Sequence, residues 1–127
     1  MFRQLEAKDL PELDQMLREE GTIMELKEMM PINTYVWDDG FIKGFFHFRF
    51  EHSLPSLRHL CIKKEFRNIK NAAKIIDEWK RIIKSLGFKL SIVIINKPYL
   101  QKLVEYKLKK KQPYEVRDNI ASYIVEV

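Results

Sequence analysis

LRHLCIKKEFRNIKNAAKIIDEWKRIIKSLGFKLSIVII, residues 57–95, passes through three hydrophobic patterns in succession. Residues 57–62 have the length and composition of a strand. Ala72, Ile75, Ile76, Trp79, Ile82, Ile83 and Leu86 then recur at three- and four-residue steps, the stripe of an amphipathic helix, and Gly87 follows as its left-handed stop. Residues 89–95 read as a buried strand. Their run Ile92-Val93-Ile94-Ile95 is the longest apolar run in the chain, far below the ~18–20 residues that cross a bilayer.

Upstream, Tyr35-Val36-Trp37 is rich in strand formers, Asp38-Asp39-Gly40 is a tight-turn signal, and residues 41–51 resume as a long strand. Alternation puts Ile42, Phe46, Phe48 and Phe50 on one face of it. Lys43, His47, Arg49 and Glu51 fall on the other with Phe45 among them, so one face is expected to pack on helices and the other to be partly polar. A turn at Ser53-Leu54-Pro55 leads to the strand 57–62. Nearer the start, residues 2–6 alternate as a short strand. Asp9-Leu10-Pro11-Glu12 then offers an N-cap carboxylate, a first-turn proline and a capping-box glutamate. Leu10, Leu13, Met16 and Leu17 continue that helix, Gly21 stops it, and a second short helix is expected over 23–30 before Pro31.

Downstream, residues 98–107 read as a helix with proline at its start, and 113–117 with 120–127 as a closing hairpin turning at Asp118-Asn119. The expected fold is α/β: a mixed central sheet of about six to seven strands flanked by about four helices, in the order β-αα-β-β-β-α-β-α-β-β. Neither an internal repeat nor a boundary is visible, so residues 1–127 are expected to form one domain.

Composition bounds the function. With 46% hydrophobic and 32% charged residues and only four glycines and five prolines, disordered, collagen-like and linker architectures are excluded. The single Cys61 cannot form an internal disulfide, and residues 1–6 lack a signal-type apolar stretch, so a soluble cytoplasmic protein is expected. Twenty-three Lys and Arg against 18 Asp and Glu leave +5, which favours an anionic partner without naming it.

Three segments carry a resemblance to a known family: residues 2–13, FRQLEAKDLPEL; residues 36–45, VWDDGFIKGF; and residues 60–72, LCIKKEFRNIKNA. In this order, over nearly the whole chain, they resemble the GNAT superfamily of N-acetyltransferases. The resemblance implies a first strand running into a helix, a hairpin with a glycine in its long strand, and a strand followed by a pyrophosphate-binding loop and a helix N-terminus. Acetyl-CoA is the implied co-substrate, held by Ile62, Lys63, Arg67, Asn68, Ile69, Lys70, Asn71, Ala72 and Asn96. The family typically carries Gln/Arg-x-x-Gly-x-Gly/Ala in the loop. Arg67 and Ala72 match its ends, whereas Asn68 follows the arginine and Lys70 stands in place of the central glycine. Glycine lets backbone N–H groups approach a pyrophosphate at a helix N-terminus, and a Cβ can block that approach. Two readings stay open: the Lys70 ammonium replaces the lost contacts, or the site is closed.

Direct acetyl transfer to an amine needs a base, an oxyanion contact and an acid for the leaving thiolate. The resemblance implies a backbone N–H at the end of the fourth strand, around Cys61-Ile62-Lys63, for the oxyanion. His59 is the expected base by its ordinary pKa of ~6.5, with Glu51 and His47 in reserve. Tyr106 is the implied acid, a residue or more beyond the family's position. An ordinary core or surface role competes with each of these. The spacing of His47, His52 and His59 fits no metal site.

The leading function is thus an N-acetyltransferase with an amine or protein substrate held near Trp37, Tyr35 and His47. The alternative is a non-catalytic GNAT-like protein-interaction module, of bacteriophage or mobile-element type. Nucleic-acid binding through Lys107, Lys109, Lys110, Lys111 and Arg117, with Tyr106 and Tyr114 as stacking groups, ranks last because +5 is modest for that task.

Overall fold

The computed structural model describes residues 1–21, 29–51, 53–95, 113, 115–117 and 120–127. Its elements are β1 (Phe2–Gln4), α1 (Leu10–Glu19), β2 (Thr34–Asp38), β3 (Ile42–Glu51), β4 (Leu54–Ile62), α2 (Ile69–Ser85), β5 (Leu90–Ile95), β6 (Glu115–Arg117) and β7 (Ile120–Glu126), with 3-10 turns at Ala7–Asp9 and Lys64–Phe66. The seven strands form one sheet in the order β1-β2-β3-β4-β5-β7-β6. β4 and β5 run parallel and every other pair antiparallel, which is the expected mixed α/β class. Two α-helices lie among the described residues. The expected helix over 98–107 and the turn at Asp118-Asn119 lie outside them, as does most of the one over 23–30, whose last two residues, Met29 and Met30, are non-helical.

The two helices take opposite faces of the sheet. Ile75, Ile76, Trp79, Ile82 and Ile83 of α2 pack with Phe46, Phe48, Leu57, Val93, Tyr123 and Val125. Leu13, Met16 and Leu17 of α1 pack with Val36, Phe45 and Cys61 on the other side. Phe45 and Phe46 are successive residues of β3, so alternation sends them to different layers. α2 starts at Asn68, whose side chain accepts from the Asn71 N–H at 2.8 Å, and it ends before Gly87 at φ +92°.

Four expectations are corrected. Ile42 packs with Phe45 rather than Phe46, because the register steps from Trp37↔Gly44 to Asp38↔Ile42 and Lys43 is the extra residue of a bulge that inverts the alternation. The second face of β3 is covered too: Phe45 and His47 are both wholly buried. β4 begins at Leu54 and runs through Pro55, tightening the turn to Ser53 at φ +68°. Proline is tolerated there because the pairing of β4 with β5 starts only at Ser56. Asp9 stands at the N-cap of α1, but its carboxylate makes no capping bond to that helix. It sits in the preceding 3-10 turn, accepts from the Glu6 N–H at 2.8 Å, and takes both arms of the Arg3 guanidinium at 2.7 and 2.8 Å. No helix among the described residues is long and apolar enough to cross a membrane.

Candidate active site

β4 and β5 are held together at Ser56↔Ile92 and Leu57↔Val93 and pair no further among the described residues. The next residue of β4 breaks its register: β3 and β4 pair His47↔His59 and then Phe48↔Leu57, so Arg58 is the extra residue of a bulge in β4. Such a bulge bends its strand, and the β4–β5 pairing ends just before it. The direction of the freed backbone groups follows from the ladder. Lys63 N–H donates to Lys43 O at 2.8 Å, so Lys63 and Cys61 turn their amides toward β3. Alternation then turns those of Leu60 and Ile62 toward the gap. Arg67 Nε donating to Ile62 O at 2.7 Å from that side agrees. Of the residues at the expected oxyanion position, Ile62, like its neighbour Leu60, turns its amide away from β3. Lys63 spends its amide in the sheet.

Beyond β4 lies the loop into α2, and much of it is engaged internally. The Arg67 guanidinium bonds Ile62 O and pairs with Glu20, and Lys63 Nζ pairs with Glu12, so both cations reach back to α1 and its end. Asn68 takes the Asn71 amide, and Asn71 Nδ2 donates to Phe66 O at 2.7 Å. Ala72 N–H bonds Asn68 O. This leaves the amides of Ile69 and Lys70 as the first-turn donors not used by the cap, beside the exposed side chain of Lys70. Two amides, a helix N-terminus and an ammonium suit an anionic diphosphate.

On the α1 face of β3 and β4 stands His47. Met30 N–H donates to Asn33 Oδ1 at 2.9 Å, which identifies that atom as the amide oxygen, and Thr34 Oγ1 donates to the same oxygen at 3.0 Å. The Thr34 hydroxyl proton being committed, its oxygen accepts from His47 Nδ1 at 3.0 Å. His47 therefore carries its proton on Nδ1. Burial, then the nearby charges of His59, Arg49 and Arg58, push its pKa down to about 4. A histidine buried neutral gives stability above the unfolded pKa of ~6.5 that is lost as pH falls toward the folded value. Stability is expected to drop between about pH 6.5 and pH 4, by an amount on the order of 2–3 kcal/mol. Urea unfolding across that range checks this, and His47→Gln should flatten the window.

The structure brings some expected site residues together and separates others. His59 is half-buried on β4 with its ring 5.9 Å from that of His47. Glu51 ends β3 opposite Leu54, at the far end from the loop, and its side chain, with Asn96 and Tyr106, lies outside the described residues. Tyr35 and Trp37 do not join His47: Tyr35 stacks on Phe46 at 5.4 Å and Trp37 on Phe2 at 5.2 Å, on the α2 face. Alternation within β2 separates them from Thr34, the partner of His47. Sequence reading missed Glu12, Glu20, Thr34, Ser56 and Arg58. Only the Asn68 cap had a local signal, an Asn just before an amphipathic run.

The mixed seven-stranded sheet with a helix on either face is a fold shared with solved N-acetyltransferase structures. The solved structures similar to the chain make this concrete. PaiA N-acetyltransferase from Thermoplasma acidophilum, in complex with coenzyme A, matches with a TM-score of 0.77 at 15% identity, covering 100% of this chain and 98% of that one. The ribosomal-protein-S18-alanine N-acetyltransferase of Escherichia coli matches at 0.72 and 9%, covering 100% and 94%. N-acetylglutamate synthase from Neisseria gonorrhoeae, complexed with coenzyme A and N-acetyl-glutamate, matches at 0.72 and 10%, covering 99% of this chain and 34% of that one. No protein-family model matches the sequence, and no curated protein sequence does.

Proposed function

We propose that the chain is an acyl-CoA-dependent N-acyltransferase acting in the cytoplasm as one unit, with acetyl-CoA as co-substrate and an amine as acceptor. The observation that carries this reading is that the pairing of β4 with β5 stops beside the Arg58 bulge, which supports a gap between the strands edged by the Leu60 and Ile62 backbone. The amides of Ile69 and Lys70 and the Lys70 ammonium take the pyrophosphate. The gap takes the thioester, and the Ile62 or Leu60 N–H stabilises the oxyanion. The amine nitrogen attacks the carbonyl carbon and the C–N bond forms. The C–S bond breaks, the nitrogen proton goes to His59, and the thiolate leaves to be protonated as coenzyme A.

Calorimetry with acetyl-CoA tests the reading. Binding is expected, and Lys70→Glu should weaken it about tenfold or more by setting a carboxylate against the phosphates. A second reading has its own support. Arg67, Lys63 and Asn71 are already engaged within the protein, which suits a non-catalytic scaffold that binds a protein partner instead. No heat at millimolar acetyl-CoA would leave this second reading standing.

A further inference from the structure

Among the described residues, three buried side-chain polar atoms have no hydrogen-bond partner: His47 Nε2, Ser56 Oγ and Trp79 Nε1. Trp79 lies alone in the apolar layer under α2. The other two are neighbours on the opposite face. Register pairs His47 with His59 and Arg49 with Ser56, so His47 and Ser56 stand diagonally across β3 and β4 on either side of the Arg58 bulge. Ser56 also faces Ile92 in one of the two pairs that close the gap, which puts it at the root of the opening.

The chemistry of the two atoms is defined. The chain of bonds from Met30 through Asn33 and Thr34 fixes the His47 proton on Nδ1, so Nε2 presents a bare lone pair. A buried acceptor without a donor costs free energy unless something supplies the donor. Ser56 Oγ adds a second acceptor that can also donate. Both residues are wholly buried, so only a small group with several N–H or O–H bonds suits them. Burial together with the positive charges of Arg49 and Arg58 would also favour an amine in its neutral, nucleophilic form over an ammonium.

We propose that His47 Nε2 and Ser56 Oγ form the seat of the acceptor's primary amino group, holding it by its N–H bonds at the root of the β4–β5 gap. The choice of an amine rests on the acyl-transfer reading. His47 would touch substrate directly, where His59 takes the proton.

Long-range proton–nitrogen NMR on the full chain, with methylamine as probe, tests the seat. The His47 Nε2 resonance should report an unprotonated nitrogen and move upfield as methylamine is added, whereas methanesulfonate should leave it in place. His47→Asn keeps an N–H near the Nδ1 position for Thr34 and loses the outer acceptor, so methylamine binding should weaken at least tenfold. His47→Gln, whose amide reaches the Nε2 position, should restore most of it. A proton found on Nε2, or an Nε2 signal indifferent to methylamine, overturns the seat and leaves a buried water as the partner of these atoms. If methylamine moves Nε2 while acetyl-CoA gives no heat, the seat stands and the coenzyme reading falls. If acetyl-CoA binds and methylamine does nothing, the seat alone falls.

Discussion

Gly44→Ala should destabilise the protein by about 2–3 kcal/mol, with an unfolding temperature lower by about 10 °C. Gly44 and Ile62 form a pair without mutual hydrogen bonds, the kind in which two antiparallel strands come closest. A Cβ on Gly44 would lie 2.5 Å from Cys61 O and 3.2 Å from Ile62 Cα. Both are backbone atoms of the central strand, so no rotamer change relieves the clash and β4 itself must move. Gly87→Ala is the control. A Cβ there meets nothing within 4 Å, and only the positive φ of +92° opposes it, at a cost of about 1 kcal/mol. Thermal or urea unfolding of both variants checks the ordering, and a Gly44→Ala protein as stable as the parent would contradict the close approach. Because Ile62 borders the gap, the displaced strand should also weaken acetyl-CoA binding in the fraction that folds.

Asp9→Asn should cost about 2–4 kcal/mol, somewhat under the usual figure for breaking a buried ion pair because Arg3 keeps part of its exposure. Asp9 is 3% exposed. It binds Arg3 through both oxygens, and Arg3 Nε reaches on to Asp38 at 2.9 Å, joining β1, the first 3-10 turn and the end of β2. The hydrogen-bonded Arg3 guanidinium, chief among the causes, holds the Asp9 carboxyl below its ordinary value. A depressed carboxyl gives stability that is complete above the unfolded pKa of ~3.9 and is lost as pH falls through the lower folded value. The parent should therefore lose stability below about pH 4, after the His47 window has been crossed, and Asp9→Asn should lack that last step. Unfolding free energies measured from neutral pH to pH 2 separate the two groups.

How much of this was legible in the chain depends on the range of the interaction. α2 was plain because Ile75, Ile76, Trp79, Ile82 and Ile83 need only helical geometry to share a face, and all five are buried. The hairpin around Gly40 was plain for the same reason, its left-handed residue being local. The two bulges were not. Lys43 and Arg58 differ from their neighbours only in being where the register of the ladder shifts, and that depends on the other strand. The first bulge is why Ile42 was assigned to the wrong face. The loop carried a partial signal, since its missing glycines could be seen. What fills the site could not, because Lys63 meets Glu12 across 51 positions and Arg67 meets Glu20 across 47. Asp9 looked like a cap because a capping aspartate and a buried ion-pairing one look alike until the fold supplies the arginine.

The Arg58 bulge makes the opening a matter of chain length rather than of chemical identity. Remove that one residue and His59 would follow Leu57 as His47 precedes Phe48, every neighbouring side chain keeping its present layer. The bend would lose its cause, and β4 would run on beside β5 as an ordinary parallel neighbour. A one-codon deletion would thus sew up the sheet while sparing its core, whereas many substitutions at the same position would leave the doorway ajar.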